Sequence, residues 1–344
     1  MNQLSLGSDN HSGVHPELLK EMIEANHGFA ASYEQDETSK KLKKLLLEKF
    51  NAVDAALVFN GTAANVISLQ VAMKSYEAVL CTDCSHLNVD ECGAPEKIAG
   101  VKVVAMPSKN GKFDIEHLEN AIIRKGDQHF SQVKVISVTQ PTEYGTVYSK
   151  EELQQIKDIC LKHNLYLHID GARYANALVS LSWNFHELAQ YADVISFGGA
   201  KNGLMMGEFV IVRNPEIKEG LKFFRKQSLQ LPAKTRFLTA PFIKYINTDL
   251  WKDIASHENR MAQHLRQGLE NFAEIEITQE TQANSVFCII PKDIIKELRK
   301  DFFFYVWDEM TFECRLMTSY SITEEHINQF LQRLKDLLQE RNLS

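Results

Sequence analysis

Leu165-Tyr166-Leu167-His168-Ile169-Asp170-Gly171-Ala172-Arg173 is the stretch on which the reading of this chain turns. Its first five residues are a short, mostly apolar run, and the run ends on a carboxylate, two small residues and a guanidinium. Such a run reads as a buried strand, and in parallel sheets the chemistry stands just past the carboxyl ends of the strands. A charge at a buried strand end must be paired or hydrogen-bonded, because an isolated buried carboxylate is strongly unfavourable. Asp170 and Arg173 could simply pair with each other; whether they do more depends on what the other strand ends offer.

Outward from this point the same texture repeats. Short β-favouring runs at 55–59, 78–82, 101–106, 133–138, 165–169, 194–197 and 209–212 alternate with helical patterns. The segment 150–163 is one of these helices: Ser149 would cap it, and Glu151 and Glu152 suit its first turn. The alternation predicts an α/β fold with a mainly parallel sheet flanked by helices. From about 215 to 272 the pattern becomes a helical connector, and strands at 285–290, 302–307 and 314–318 with a closing helix at 323–339 predict a small α+β domain. The expected division is an N-terminal arm at 1–30, a large domain at 31–245 and a small C-terminal domain at 246–344.

Composition narrows the function classes. A length of 344 residues with 44% hydrophobic content suffices for a large domain plus a small one. The net charge of -7 includes no basic run that could track a phosphate backbone, so nucleic acid is not an expected partner. The opening residues lack the charged and apolar regions of a signal peptide, and no apolar run reaches membrane-spanning length, so the expectation is a cytoplasmic protein without a membrane partner. Six cysteines are too sparse for a disulfide framework. Cys81, Cys84, His86 and Cys92 include a C-x-x-C, but no second pair follows at structural-zinc spacing, so no metal is expected.

Two further strand ends carry chemistry. After 55–59 comes Asn60-Gly61-Thr62-Ala63-Ala64-Asn65, a small-residue turn opening a helix, where backbone N–H groups and the Thr62 hydroxyl can hold a phosphate. Any βα turn can use glycine, so this alone decides little. After 194–197 comes Gly198-Gly199-Ala200-Lys201-Asn202-Gly203. Lysines in loops are usually solvated, yet small neighbours would leave room for a planar group, and a desolvated lysine can form an imine. Phosphate cradle, strand-end carboxylate and glycine-flanked lysine, in that order, fit pyridoxal 5′-phosphate (PLP): the carboxylate keeps the pyridine nitrogen protonated and the lysine carries the cofactor.

At these residues the sequence resembles the threonine aldolase and β-eliminating lyase family of PLP-dependent enzymes, in particular its low-specificity L-threonine aldolases, which have the aspartate-aminotransferase fold. The likeness extends to Ser8-Asp9-Asn10, Ser85-His86, Glu91-Cys92-Gly93-Ala94 and Thr139-Gln140-Pro141-Thr142-Glu143-Tyr144-Gly145-Thr146. It implies Lys201 as the Schiff-base lysine, Asp170 as partner of the pyridine nitrogen, Gly61 and Thr62 as phosphate ligands, and His86 as the imidazole stacked on the ring. It further implies that Arg173 and Arg315, with Ser8 close by, hold the substrate carboxylate, that His129 stands near the substrate side chain, and that Arg236 reaches the phosphate from a neighbouring subunit. The protein would then be a homodimer or homotetramer with shared active sites, cleaving L-threonine, L-allo-threonine and related β-hydroxy-α-amino acids to glycine and an aldehyde. His86, then His129, is the expected base for the β-hydroxyl. A β-eliminating lyase or amino-acid racemase on the same scaffold is the alternative. A dinucleotide-binding oxidoreductase would need a G-x-G-x-x-G turn after its first strand, which is missing. Two positions depart from the family: Glu34 stands where many relatives have glycine, and Ala200 replaces the usual hydroxyl residue before the lysine.

Overall fold

The computed structural model describes residues 3–343. Its centre is a seven-stranded sheet of β1 (Asp54–Val58), β2 (Glu77–Thr82), β3 (Lys102–Met106), β4 (Gln132–Thr139), β5 (Tyr166–Gly171), β6 (Val194–Gly198) and β7 (Glu208–Val212). The spatial order is β1-β7-β6-β5-β4-β2-β3. All neighbouring pairs are parallel except those of β7, which is antiparallel to both β1 and β6.

These strands lack the polar-apolar alternation of a half-exposed sheet because both faces are covered. In β6, Val194 faces one core while Ile195 and Phe197 face the other; in β7, Val210 and Val212 oppose Phe209 and Ile211. The helix Glu37–Phe50 buries Leu42, Leu46 and Phe50 on one side, and the helix Gly61–Ala72 buries Ala64 and Ile67 on the other. The expected helix Lys150–His163 forms with those bounds, and Ser149 and Glu152 complete a reciprocal capping box.

A second core lies beneath a four-stranded antiparallel sheet, ordered Glu276–Ile277, Ser285–Ile289, Glu313–Met317, Tyr305–Asp308. The helix Leu250–Leu269 bridges the two cores: Trp251 and Ala255 belong to the first, Met261, Leu265 and Leu269 to the second. The boundary drawn at 245 falls inside the helix Arg236–Asn247, whose Phe242, Tyr245 and Ile246 pack into the first core. The arm is stitched into the second core. Leu4–Ser5 pairs with Phe302–Phe303, Leu6 N–H donates to Phe303 O at 2.8 Å, and Met317 N–H donates to Leu6 O at 2.7 Å.

One expectation changes. The run 302–307 is two strands: Phe302–Phe303 serves the arm and Tyr305–Asp308 the small sheet, divided at the buried Phe304. The connector is helical, as expected, and consists mainly of Leu221–Gln227, Arg236–Asn247 and Leu250–Leu269, separated by turns.

Candidate active site

The carboxyl ends of β1, β2, β4, β5 and β6 surround a cavity of about 280 Å³. Its wall includes Gly61, Thr62, Asn65, His86, Thr139, Glu143, Asp170, Arg173, Lys201 and Glu208.

On the β1 side, Asn60 caps the helix Gly61–Ala72 by accepting the Ala63 N–H at 2.9 Å. A helix start leaves its first N–H groups without intrahelical acceptors, so those of Gly61 and Thr62 remain at the cavity wall. A Cβ built on Gly61 would meet nothing within 4 Å, so the space before this helix start is open.

Asp170 is buried at the end of β5, and its two oxygens are committed. Oδ1 accepts the Ala172 N–H at 3.0 Å and Oδ2 accepts Asn65 Nδ2 at 2.8 Å. Asp170 therefore does not pair with Arg173, which turns to the arm instead. Arg173 Nε donates to Asp9 Oδ2 at 2.6 Å and its terminal nitrogen to Asp9 Oδ1 at 3.1 Å. Burial alone would raise the Asp9 carboxyl, but Arg173 and Lys201 outweigh it and hold it below its usual range.

Asn65 uses the same Nδ2 to bridge Asp170 to Glu91, 2.7 Å away. Glu91 Oε1 also lies 3.0 Å from His86 Nδ1. The Glu91 contact raises His86, and burial raises Glu91, so this pair retains a proton that separated groups would release. The His86 backbone N–H donates to Glu143 Oε1 at 2.8 Å, which also accepts Thr139 Oγ1 at 2.8 Å.

Lys201 sits in a single 3-10 turn, Ala200–Asn202, that ends at Gly203 with φ +89°. Among the described residues none hydrogen-bonds its ammonium. The Arg173 guanidinium, together with burial, pulls its pKa below the ordinary lysine value. Glu208 Oε2 accepts the Gly199 N–H at 3.1 Å and fixes the start of this turn. The glycines before the lysine do not leave the room expected of them. A Cβ on Gly198 would lie 2.6 Å from Ala172 O, and one on Gly199 would lie 2.7 Å from the Phe242 ring. They let the turn press against the protein, and the open space lies opposite, before Gly61.

The other expected site residues divide. Ser8 caps the short turn Asp9–His11 and so stands next to Asp9 and Arg173. Arg315 stacks over Trp307 at 4.8 Å, donates to Gly7 O at 3.3 Å and keeps a buried Nε without a partner. Burial, with Arg173 nearby, lowers it to about 10. His129 is exposed on the loop entering β4, at the sheet's opposite end, and is not part of the cavity wall. Arg236 lies in a separate groove with His27 and Asp36, where it donates to His27 O and Gly28 O.

The residues present suit PLP. An open space faces a helix start able to receive a phosphate, a buried carboxylate stands at a strand end, and an amine with a depressed pKa completes the set. This is the class of α/β protein with the PLP-dependent transferase fold. An aromatic aminotransferase from Pyrococcus horikoshii has the same fold at a TM-score of 0.70 and 16% identity, over 100% of this chain and 97% of that one.

Residues 5–292 match the family model described as beta-eliminating lyase, and the chain belongs to that family. It is 35% identical over 296 residues to a low specificity L-threonine aldolase of Pseudomonas aeruginosa, covering 85% of this chain and 86% of that one. A second such aldolase, of a Pseudomonas species, is 35% identical over 305 residues, 87% of this chain and 88% of its own. A solved threonine aldolase structure from Leishmania major superposes at a TM-score of 0.91 with 32% identity, over 97% of this chain and 99% of that one.

Proposed function

We propose that this protein is a PLP-dependent carbon-carbon lyase that cleaves L-threonine, L-allo-threonine and related β-hydroxy-α-amino acids to glycine and an aldehyde. The observation that carries the reading is the meeting of Gly61, Thr62, His86, Asp170 and Lys201 in one cavity, in a chain similar to L-threonine aldolases along most of its length. PLP, when bound, supplies the sink for the electron pair released at Cα.

The chain's own groups divide the remaining work. Lys201, its pKa lowered by the Arg173 guanidinium and by burial, is the amine for attachment. Asp170, held by Asn65 and Ala172, is placed to keep a proton on the pyridine nitrogen. Gly61 and Thr62 would receive the phosphate, and His86 would lie against the ring. Arg173 and Arg315 hold the substrate carboxylate, with Ser8 beside them; Asp9 fixes the Arg173 fork, and fixing that carboxylate sets which bond at Cα is aligned for cleavage. The subunits associate as a cytoplasmic homodimer or homotetramer, in which Arg236 of one chain reaches the phosphate site of a neighbour.

Incubation with the four stereoisomers of threonine tests this. Acetaldehyde and glycine in equal amounts are expected from the L-isomers. Pyruvate with ammonia, or the mirror-image amino acid, would replace the reading by elimination or racemisation.

A further inference from the structure

The aldol reading needs a group that takes the proton of the substrate β-hydroxyl, and the two histidines expected for it are poorly placed. His129 is outside the cavity of its own chain, and His86 Nδ1 is committed to Glu91. The remaining proton acceptors in the cavity wall are Lys201, Asp170, Glu208 and Glu143. Lys201 and Asp170 are assigned to the cofactor, and Glu208 is bound to the Gly199 N–H behind the lysine turn.

We propose that Glu143 is the catalytic base for the β-hydroxyl, a role that rests on the aldol reading. Glu143 stands in the wall between His86 and Thr139, with Oε1 fixed by the His86 N–H and the Thr139 hydroxyl. Among the described residues Oε2 has only the weak Cys84 thiol, at 3.9 Å. A carboxylate so anchored at one oxygen is oriented, and its other oxygen is available to a new donor. The titratable and charged groups around it are Asp170, Arg173, His86, Cys81, Cys84 and Tyr148. Burial, against the pull of the His86 and Thr139 hydrogen bonds, pushes Glu143 up to about 7. A group titrating there is ionised enough to accept a proton near neutral pH and acidic enough to return it.

In the cleavage direction the β-O–H bond breaks and its proton passes to Glu143. The Cα–Cβ bond breaks with its electron pair staying on the Cα side, and the aldehyde C=O forms. One proton from solvent then joins Cα to give glycine, and the proton taken up by Glu143 passes to solvent. Nothing is oxidised or reduced, and the same carboxyl protonates the new alkoxide in synthesis.

The test is a split between two reactions of the holoenzyme. Threonine cleavage needs the β-hydroxyl base, whereas exchange of the glycine α-hydrogen in D2O, followed by NMR, does not. Glu143→Gln keeps an oxygen for the His86 N–H and removes the base. Expected are a loss of at least about 100-fold in cleavage kcat, loss of the limb near pH 7, glycine exchange within about fivefold of wild type, and an unchanged absorbance response to glycine. Formate should partly restore cleavage to Glu143→Ala. Cleavage by Glu143→Gln within about fivefold of wild type would overturn the assignment, as would an equal loss of cleavage and exchange. If Glu143→Gln does not fold, Glu143→Ala decides: rescue by formate supports the base, and its absence overturns it. Wild-type protein that exchanges glycine but does not cleave threonine would instead remove the aldol reading.

Discussion

The expected site residues fall into two regions that differ in how the fold holds them. Gly61, Thr62, His86, Asp170 and Lys201 follow different strands of one sheet, yet they line a single cavity. Arg236 and His129 lie on a helix start and an exposed loop, outside that cavity. The contrast teaches what a parallel sheet does without help. Strands running the same way deliver their following residues to one edge, so residues far apart in sequence converge. Groups on the outer helices and at the opposite edge are not delivered to that cavity.

The comparison is broken most severely at the lysine. Lys201→Ala should abolish threonine cleavage and the borohydride-fixed cofactor adduct. Mass spectrometry that finds the reduced adduct on another lysine would dissolve the first region as a unit. Asp170→Ala should lower kcat by roughly 100-fold or more, on the scale of losing a group that stabilises developing charge; activity within a few-fold of wild type would remove its role.

A smaller effect is expected at the two arginines assigned to the substrate carboxylate. Arg173→Lys and Arg315→Lys should each weaken handling of the amino acid, about 10-fold or more in kcat/KM, because an ammonium cannot reproduce a planar fork. Unchanged kinetics in both would place the substrate carboxylate elsewhere.

The smallest effect is on stability. Burial raises Glu143 to about 7 and Glu208 and Glu258 to about 8, all above the ordinary 4.5. The folded protein thus keeps protons that the unfolded chain has already lost. That stability is fully present below the unfolded pKa and disappears as pH rises through 7 to 8. Tm should therefore fall between pH 6.5 and 8.5, and Glu258→Gln should flatten the fall. A Tm that rises across this window would contradict the raised values.

Much of this was legible in the sequence, for a physical reason. Strands buried on both faces are continuous apolar runs, so all seven were visible to within a residue or two. The reversed direction of β7 has a local signal too: the stretch between β6 and β7 is too short for a parallel crossover. Asp170, His86 and Lys201 were readable because each follows a strand. The Asp9 partner of Arg173 was not, since 164 residues separate them and neither carries a local mark of the other. Glu143 sat within a quoted motif, but nothing in the motif says that its carboxyl faces the cavity or that Thr139 and His86 anchor it.

The division between the two regions is tested most directly by mixing two inactive variants. Lys201→Ala and Arg236→Ala, carrying different tags, are dissociated together, reassembled and assayed for acetaldehyde release from threonine. If Arg236 serves a neighbour's cavity, each mixed pair holds one doubly defective site and one intact site. Activity should then return to about a quarter of the wild-type value, by random pairing in a symmetric dimer. Mixed assemblies that form, as shown by both tags, yet stay as inactive as their parents would place Arg236 outside any shared site.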